Sequence, residues 1–476
     1  MAKKRIISLL LALVLTASVF SGCSNSNQPS SSGSAPASGS EASQAESTPA
    51  SSASGESAHL VYMGWATKDE LPIELERIKD FEAKTPGITV EYLQVPGDQY
   101  VTKMNTMASS NTLPDIAMIN EAQCLKWADA GLLADISDLF GAEDEMLEDI
   151  AYRDADGNVV AYATANEILI LFYNKQYFDE AGMEYPPANA EDAWTWDEFV
   201  DVAKKLTKDA NGVTADQPNF DPNNIQTFGT NIKRSNAWVW DAFARSNGGG
   251  LCSLDGNEFW LDKPETIEAI QALADLTTVH HVQPSLAQLQ TMPSPDAMLL
   301  TNRVAMAIDG QWIIGSLGVA KQENNLDYGV GVLPKFKDPV TVNTGGALAI
   351  FSTTSNMEAA RTFYKYATDS MLNLPNIQAG VHMPTQKKWY TDSELIDTWC
   401  NTPAHPDKEM YQTAVIDYAL DCTAQTAWFY LPTYARLTEV IVPALDPVWV
   451  GEQTAQDAIS KIMPTVQPIF DSKSPN

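Results

Sequence analysis

Cysteine and histidine are scarce, with five of each in 476 residues. Cys124, Cys252, Cys400 and Cys422 stand far apart, none in a CxxC pair, and no histidine completes a compact ligand set beside them. A zinc or other metal site is therefore not expected. Cys400 and Cys422 flank one segment; they could pair in an oxidising compartment or stay as buried thiols. His280 and His281 have no third ligand nearby and read as a helix end. Serines and histidines form neither a nucleophile elbow nor a triad motif, so no catalytic residue and no cofactor is assigned. The stretch 209–221 carries Asp209, Asn211, Asp216 and Asp221 but lacks the spacing and closing Glu of a calcium loop, and it reads as a solvated turn.

Basic residues are also few: 30 Lys and Arg face 61 Asp and Glu, a net charge of −31. Such a surface repels phosphate backbones and anionic lipid, which excludes nucleic-acid partners and favours a neutral or cationic ligand. Long apolar runs are missing except at residues 6–20. Internal repeats and heptads are missing too.

That one apolar run follows Lys3, Lys4 and Arg5 and precedes Ser21, Gly22 and Cys23. A basic end, a short apolar core and small residues before a cut site make a secretory signal over 1–22. Cys23 then stands at the lipid-acceptor position of a bacterial lipoprotein. Removing 1–22 deletes three basic groups and leaves 27 against 61 acidic, a net −34. The Ser-rich tract of 23–57 has almost no apolar bulk to offset its ordering entropy, and reads as a disordered tether. The chain is expected on the extracellular face of the cell membrane, lipid-anchored, its body held away from the bilayer.

The body is long enough for two domains. Strands are predicted at 60–63, 88–93, 114–119, 168–173, 304–308, 328–333 and 347–351. Helices are predicted with Leu75, Ile78 and Phe81 on one face, through Tyr100, Met104 and Met107, and over 237–246, 264–281 and 356–368. Thr195 and Glu198 form a capping box that opens another helix. The early strand–helix alternation implies a mainly parallel sheet, and such sheets present ligands at the carboxyl ends of their strands. Asn120, Glu121 and the loop at Trp65 are the first site candidates on that ground.

Seven motifs, in order, resemble one family: FEAKTPGITV at 81–90, LPDI at 113–116, LFYNK at 171–175, TWDEF at 195–199, AMAIDGQW at 305–312, YGVGVLP at 328–334 and EAARTFYKY at 358–366. They resemble the extracellular solute-binding proteins of ABC importers, in particular the maltodextrin and oligosaccharide group. That resemblance implies an α/β fold of two lobes around a hinged ligand cleft. It implies one lobe at 58–166 plus 346–400 and another at 167–345 plus 401–476.

Sugar recognition needs flat aromatic faces plus carboxylate and amide partners. Trp65, Trp238, Trp240, Trp312, Trp428 and Tyr430 supply the first, and Asn120, Glu121, Glu167 and Asp309 the second. Gly345 and Gly346 form a permissive bend and complete the candidate set. The resemblance implies that Glu167 contacts sugar, that Trp312 stacks, and that Trp428 and Tyr430 stand near an aromatic pair that also stacks. The aromatic that the family places after the PDI strand is absent here. The expected function is that of a monomeric, non-enzymatic substrate-binding subunit that delivers a carbohydrate to membrane permease subunits. The alternatives are a secreted carbohydrate hydrolase or a binder of a non-sugar ligand such as a polyamine or peptide.

Overall fold

A computed structural model of the protein describes residues 57–66 and 71–474. The signal, Cys23 and all of the tether but its last residue lie outside the described residues. Six strands precede residue 175: β1 (Ala58–Gly64), β2 (Ile88–Gln94), β3 (Ile116–Ile119), β4 (Ala151–Arg153), β5 (Val159–Ala163) and β6 (Glu167–Asn174). Later strands are β7 (Lys208–Asp209), β8 (Ile225–Thr227), β9 (Met306–Gly310), β10 (Tyr328–Gly331), β11 (Thr341–Thr344), β12 (Ala347–Ile350) and β13 (Thr423–Ala424). They build one six-stranded sheet in the order β2-β1-β3-β12-β5-β4, one five-stranded sheet around β6, and a small β7–β8 pair.

The first sheet is parallel only where helices return the chain. β1 pairs in parallel with β2 and β3, linked by α1 (Leu71–Lys84) and α2 (Gly97–Ser109). β12 and the β4–β5 pair run antiparallel. The expectation of a mainly parallel sheet thus holds for its first half. β4 and β5 form a hairpin across the Asp154–Asn158 turn, and β12 enters from the other sheet. On α1, Ile78 and Phe81 are buried, but Leu75 is 48% exposed and is not part of that face. Gly87, at φ +102°, turns the chain into β2.

In the second sheet β6 is the centre. Its run EILILFYN is buried from Ile168 to Asn174, as expected of a strand covered on both faces. β9, β10 and β11 all pair antiparallel to it. The N-terminus of a helix follows at once: Asn174 accepts the Gln176 amide and opens α4 (Lys175–Ala181). The Thr195 capping box opens α5 (Trp196–Leu206) as the sequence predicts. Next come α6 (Ala237–Ser246) and α7 (Pro264–Thr278). Helices Tyr434–Trp449 and Ala455–Ser472 pack on each other and on α7. Among the described residues no helix is long and apolar enough to cross a membrane.

The chain passes between the sheets three times, the last by the long helical stretch from β12 to β13, and the first two passages are adjacent. Residues 164–166 carry it from β5 to β6, and Gly345 and Gly346 carry it from β11 to β12. These two crossings touch: the Thr164 amide donates to the Gly346 carbonyl at 2.9 Å, and the Tyr152 hydroxyl to the Gly345 carbonyl at 3.1 Å. Gly345 sits at φ +143°, where a side chain would be strained and would strike the Ala165 carbonyl.

Candidate ligand-binding cleft

Strand ends from both sheets deliver side chains to one open cleft of about 480 Å³. Glu121, the first residue of α3 (Glu121–Asp129), comes from the end of β3. Glu167 opens β6, and Thr344 closes β11 directly opposite it in register. Trp238 comes from α6, Trp312 from the single turn after β9, and Trp428 from the late turn Ala427–Phe429. Val381 and His382 complete the lining. Glu121 also lines an adjoining space of about 300 Å³ with Trp65, Tyr100 and Asn120.

The three indoles form one group. Trp238 lies 6.0 Å from Trp312 and 6.3 Å from Trp428 between ring centroids, inclined at 50° and 58°. Trp428 stands edge-on to Tyr434 at 5.6 Å. Its indole nitrogen is buried and donates to no described residue. Trp312 owes its position to Gly310, whose missing side chain leaves the space that the ring fills.

Burial pushes the Glu167 carboxyl up to about 8, and the Glu121 carboxylate adds to the rise. Glu121 is raised too, by burial, against the pull of its own backbone amide. No lysine or arginine lines either space among the described residues. His382 Nδ1 is 2.9 Å from the Asn373 side-chain amide, which donates to it.

The other candidates have structural duties. Trp65 stands edge-on to Tyr100 at 4.9 Å and covers Gly346, where a Cβ would lie 2.9 Å from its ring. Asn120 is exposed and caps α3 by accepting the Ala122 amide. Trp240 is a correction: it is 0% exposed, on the core face of α6, and no ligand in the cleft can stack on it. Asp309 is a second correction. It is 1% exposed and ion-paired to Lys233 at 2.8 Å, so it anchors the segment beside β9 and does not face the cleft. Tyr430 accepts from Arg245 at 2.8 Å, within a buried Arg245–Asp241 pair, and is absent from the cleft lining.

Thr344, Val381 and His382 escaped the sequence reading. Thr344 carried a signal, since it precedes the Gly345–Gly346 bend; the other two lie in a stretch without a motif. The Asp209 carboxylate accepts the amides of Asn211, Val213 and Asp221, so backbone donors fill the oxygens a calcium ion would need. Among the described residues no group of three or more His, Cys, Asp or Glu could hold a metal. Cys400 is buried, Cys422 partly so, and both are free thiols.

The profile of the family described as "Bacterial extracellular solute-binding protein" matches residues 67–371, well over half of the chain. The maltotriose-binding protein of Pyrococcus abyssi is 26% identical over 311 residues, covering 63% of this chain and 60% of that relative. The chain thus spans about three fifths of the length of the first curated relatives it matches. An ABC substrate-binding protein of Listeria monocytogenes, solved with cycloalternan, superposes with a TM-score of 0.71 at 20% identity, covering 87% of this chain and all of that one. The maltose-bound MalE3 of T. maritima superposes at 0.68 with 19% identity, over 87% of this chain and all of its own. The fold is the two-lobe α/β architecture of periplasmic binding proteins, and the chain belongs to the bacterial extracellular solute-binding protein family.

Proposed function

We propose that this protein is the substrate-binding subunit of an ABC importer, and that it captures a sugar or oligosaccharide between its lobes and hands it to membrane permease subunits. The observation that carries the reading is the cleft beside the two adjacent sheet crossings, with three indoles and two carboxylates on its walls. Indole faces cover the weakly apolar sides of sugar rings, while carboxylates and Thr344 receive or exchange hydroxyl hydrogen bonds. The relatives named for maltotriose, cycloalternan and maltose support a saccharide ligand. We place the lobes at 58–166 plus 346–400 and 167–345 plus 401–476. Ligand contacts made to both lobes would favour the closed form by hinge motion, since a ligand that binds open and closed forms equally shifts nothing. Cleavage before Cys23 and acylation of its thiol would keep the protein, as a monomer, at the outer face of the membrane.

A thermal-shift screen of the protein against mono- and oligosaccharides tests the reading. A saccharide at 100 times its Kd stabilises the fold by about 2.7 kcal/mol. No shift with any saccharide would remove the proposal. Two carboxylates on one cleft also suit a glycoside hydrolase. Recovery of the bound oligosaccharide intact after long incubation excludes that second reading; its cleavage would establish it.

A further inference from the structure

We infer that the saccharide taken by this cleft carries a positively charged amine, as a glucosamine oligomer does, seated between the Glu121 and Glu167 carboxylates and the indoles around Trp238. The inference rests on the saccharide reading above and narrows it to a chemical class.

The first ground is charge. Glu121 and Glu167 line the same cleft, and no described lysine or arginine shares it with them. Among the described residues the remaining titratable group on its walls is His382, whose Nδ1 takes up the Asn373 amide. Among the described cations, Lys233 is paired with Asp309 and Arg245 with Asp241. The Glu167 carboxylate makes no hydrogen bond to another described residue. Two carboxylates in one drying cleft cannot both stay ionised cheaply, and the raised Glu167 carboxyl reflects that. A neutral sugar would bury the pair further and keep Glu167 protonated, since nothing in it offsets the repulsion of two ionised carboxylates. An ammonium group removes the repulsion and supplies three donors.

The second ground is the indole group. Trp312 and Trp428 stand 6.0 and 6.3 Å from Trp238 between centroids, a spacing at which a cation can sit against Trp238 and a second ring face. The third ground separates an amino sugar from a bare polyamine. Trp428, only 5% exposed, lines the cleft, and its buried indole N–H has no acceptor among the described residues. A polyamine offers no acceptor oxygen, whereas a sugar hydroxyl or ring oxygen does. The net negative surface of the whole chain raises the local concentration of such a ligand.

Calorimetric titration of the purified full chain decides the matter, with four probes: a β-1,4-linked glucosamine trimer, its N-acetylated twin, maltotriose and spermidine. At pH 6 the amine trimer should bind at least about tenfold more tightly than its N-acetylated twin. Because free Glu167 holds a proton there and an ammonium ligand ionises it, binding should release close to one proton, read from buffers of different ionisation enthalpy. Glu167→Gln should abolish that release and shrink the preference at least about fivefold. Equal or tighter binding of the N-acetylated trimer or maltotriose overturns the inference and leaves the saccharide reading standing. Refusal of the amine trimer overturns it whatever else binds, and refusal of every saccharide sinks both.

Discussion

Gly310 and Trp312 share one volume: the indole of Trp312 occupies the place where a side chain on Gly310 would stand. The ring is thereby pinned at the end of β9, facing the cleft. Gly310→Ala should push the ring from that place at a cost of about 1–3 kcal/mol in stability, the scale of overpacking. Saccharide affinity should fall together with it, and tryptophan fluorescence should report the moved indole. Unchanged affinity in this variant would remove Trp312 from the site.

Trp312 and Trp240 should respond in opposite ways to truncation. Trp312 is partly exposed on the cleft, so Trp312→Ala should cost about 1–3 kcal/mol of binding and little stability. Trp240 is fully buried, so Trp240→Ala should cost about 3–5 kcal/mol of stability. Urea unfolding of the empty proteins and calorimetric titration with the screened sugar separate the two effects.

Asp241 and Arg245 are one turn apart on α6, paired at 2.8 Å, and both buried. Asp241→Ala leaves a buried guanidinium without its charge partner and strands the Leu251 amide. A loss of about 3–5 kcal/mol in unfolding free energy is expected. Replacing both residues, Asp241→Ala with Arg245→Met, should recover part of it. A double variant no more stable than the single one would show that the pair is not a charge-compensated unit.

Glu167 gives the fold a pH dependence of definite sign. Its folded carboxyl is raised from the ordinary value of 4.5 to about 8, so the folded form binds the proton more tightly than the unfolded chain does. Its contribution is therefore fully present below 4.5 and is lost as the pH rises through 8. Glu167→Gln should stabilise the empty protein progressively over that window and least at its acid end. Urea unfolding at several pH values measures it; a stabilisation independent of pH would show that Glu167 does not titrate there.

Cys23→Ser should abolish lipid labelling and release the protein to the medium. The ground is sequence alone, the Ser21–Gly22 pair before the thiol. A variant as membrane-bound as its parent would dispose of the anchor.

The strands that read most clearly were those whose order is local. β6 is a continuous apolar run, and the Thr195 box needs only four residues to declare itself. β4, β5 and β11 were not anticipated, because short strands completed by distant partners carry little periodicity of their own. The same limit governed the site. Trp312 was approachable through its DG-QW context. Trp240 was not separable from Trp238 by composition, since two positions on a helix differ by about 200° in facing. Asp309 has the residue type of a sugar partner, and only the position of Lys233 reveals what it holds. His382 entered the cleft through long-range packing that no local pattern announces.

The paired crossings have a mechanical consequence. Glu167 and Thr344 are not merely near the links between the sheets; they are the last paired rungs of β6 and β11 before those links begin. Beyond them, the Thr164–Gly346 hydrogen bond ties the two links side by side, so neither can slide without the other. Under the proposed hinge motion, a pull on either cleft residue acts on the links about which the lobes would turn. Grip and stiffness therefore reside in the same few atoms, and a substitution at 167 or 344 will change how firmly a ligand is held and how readily the lobes swing as one quantity.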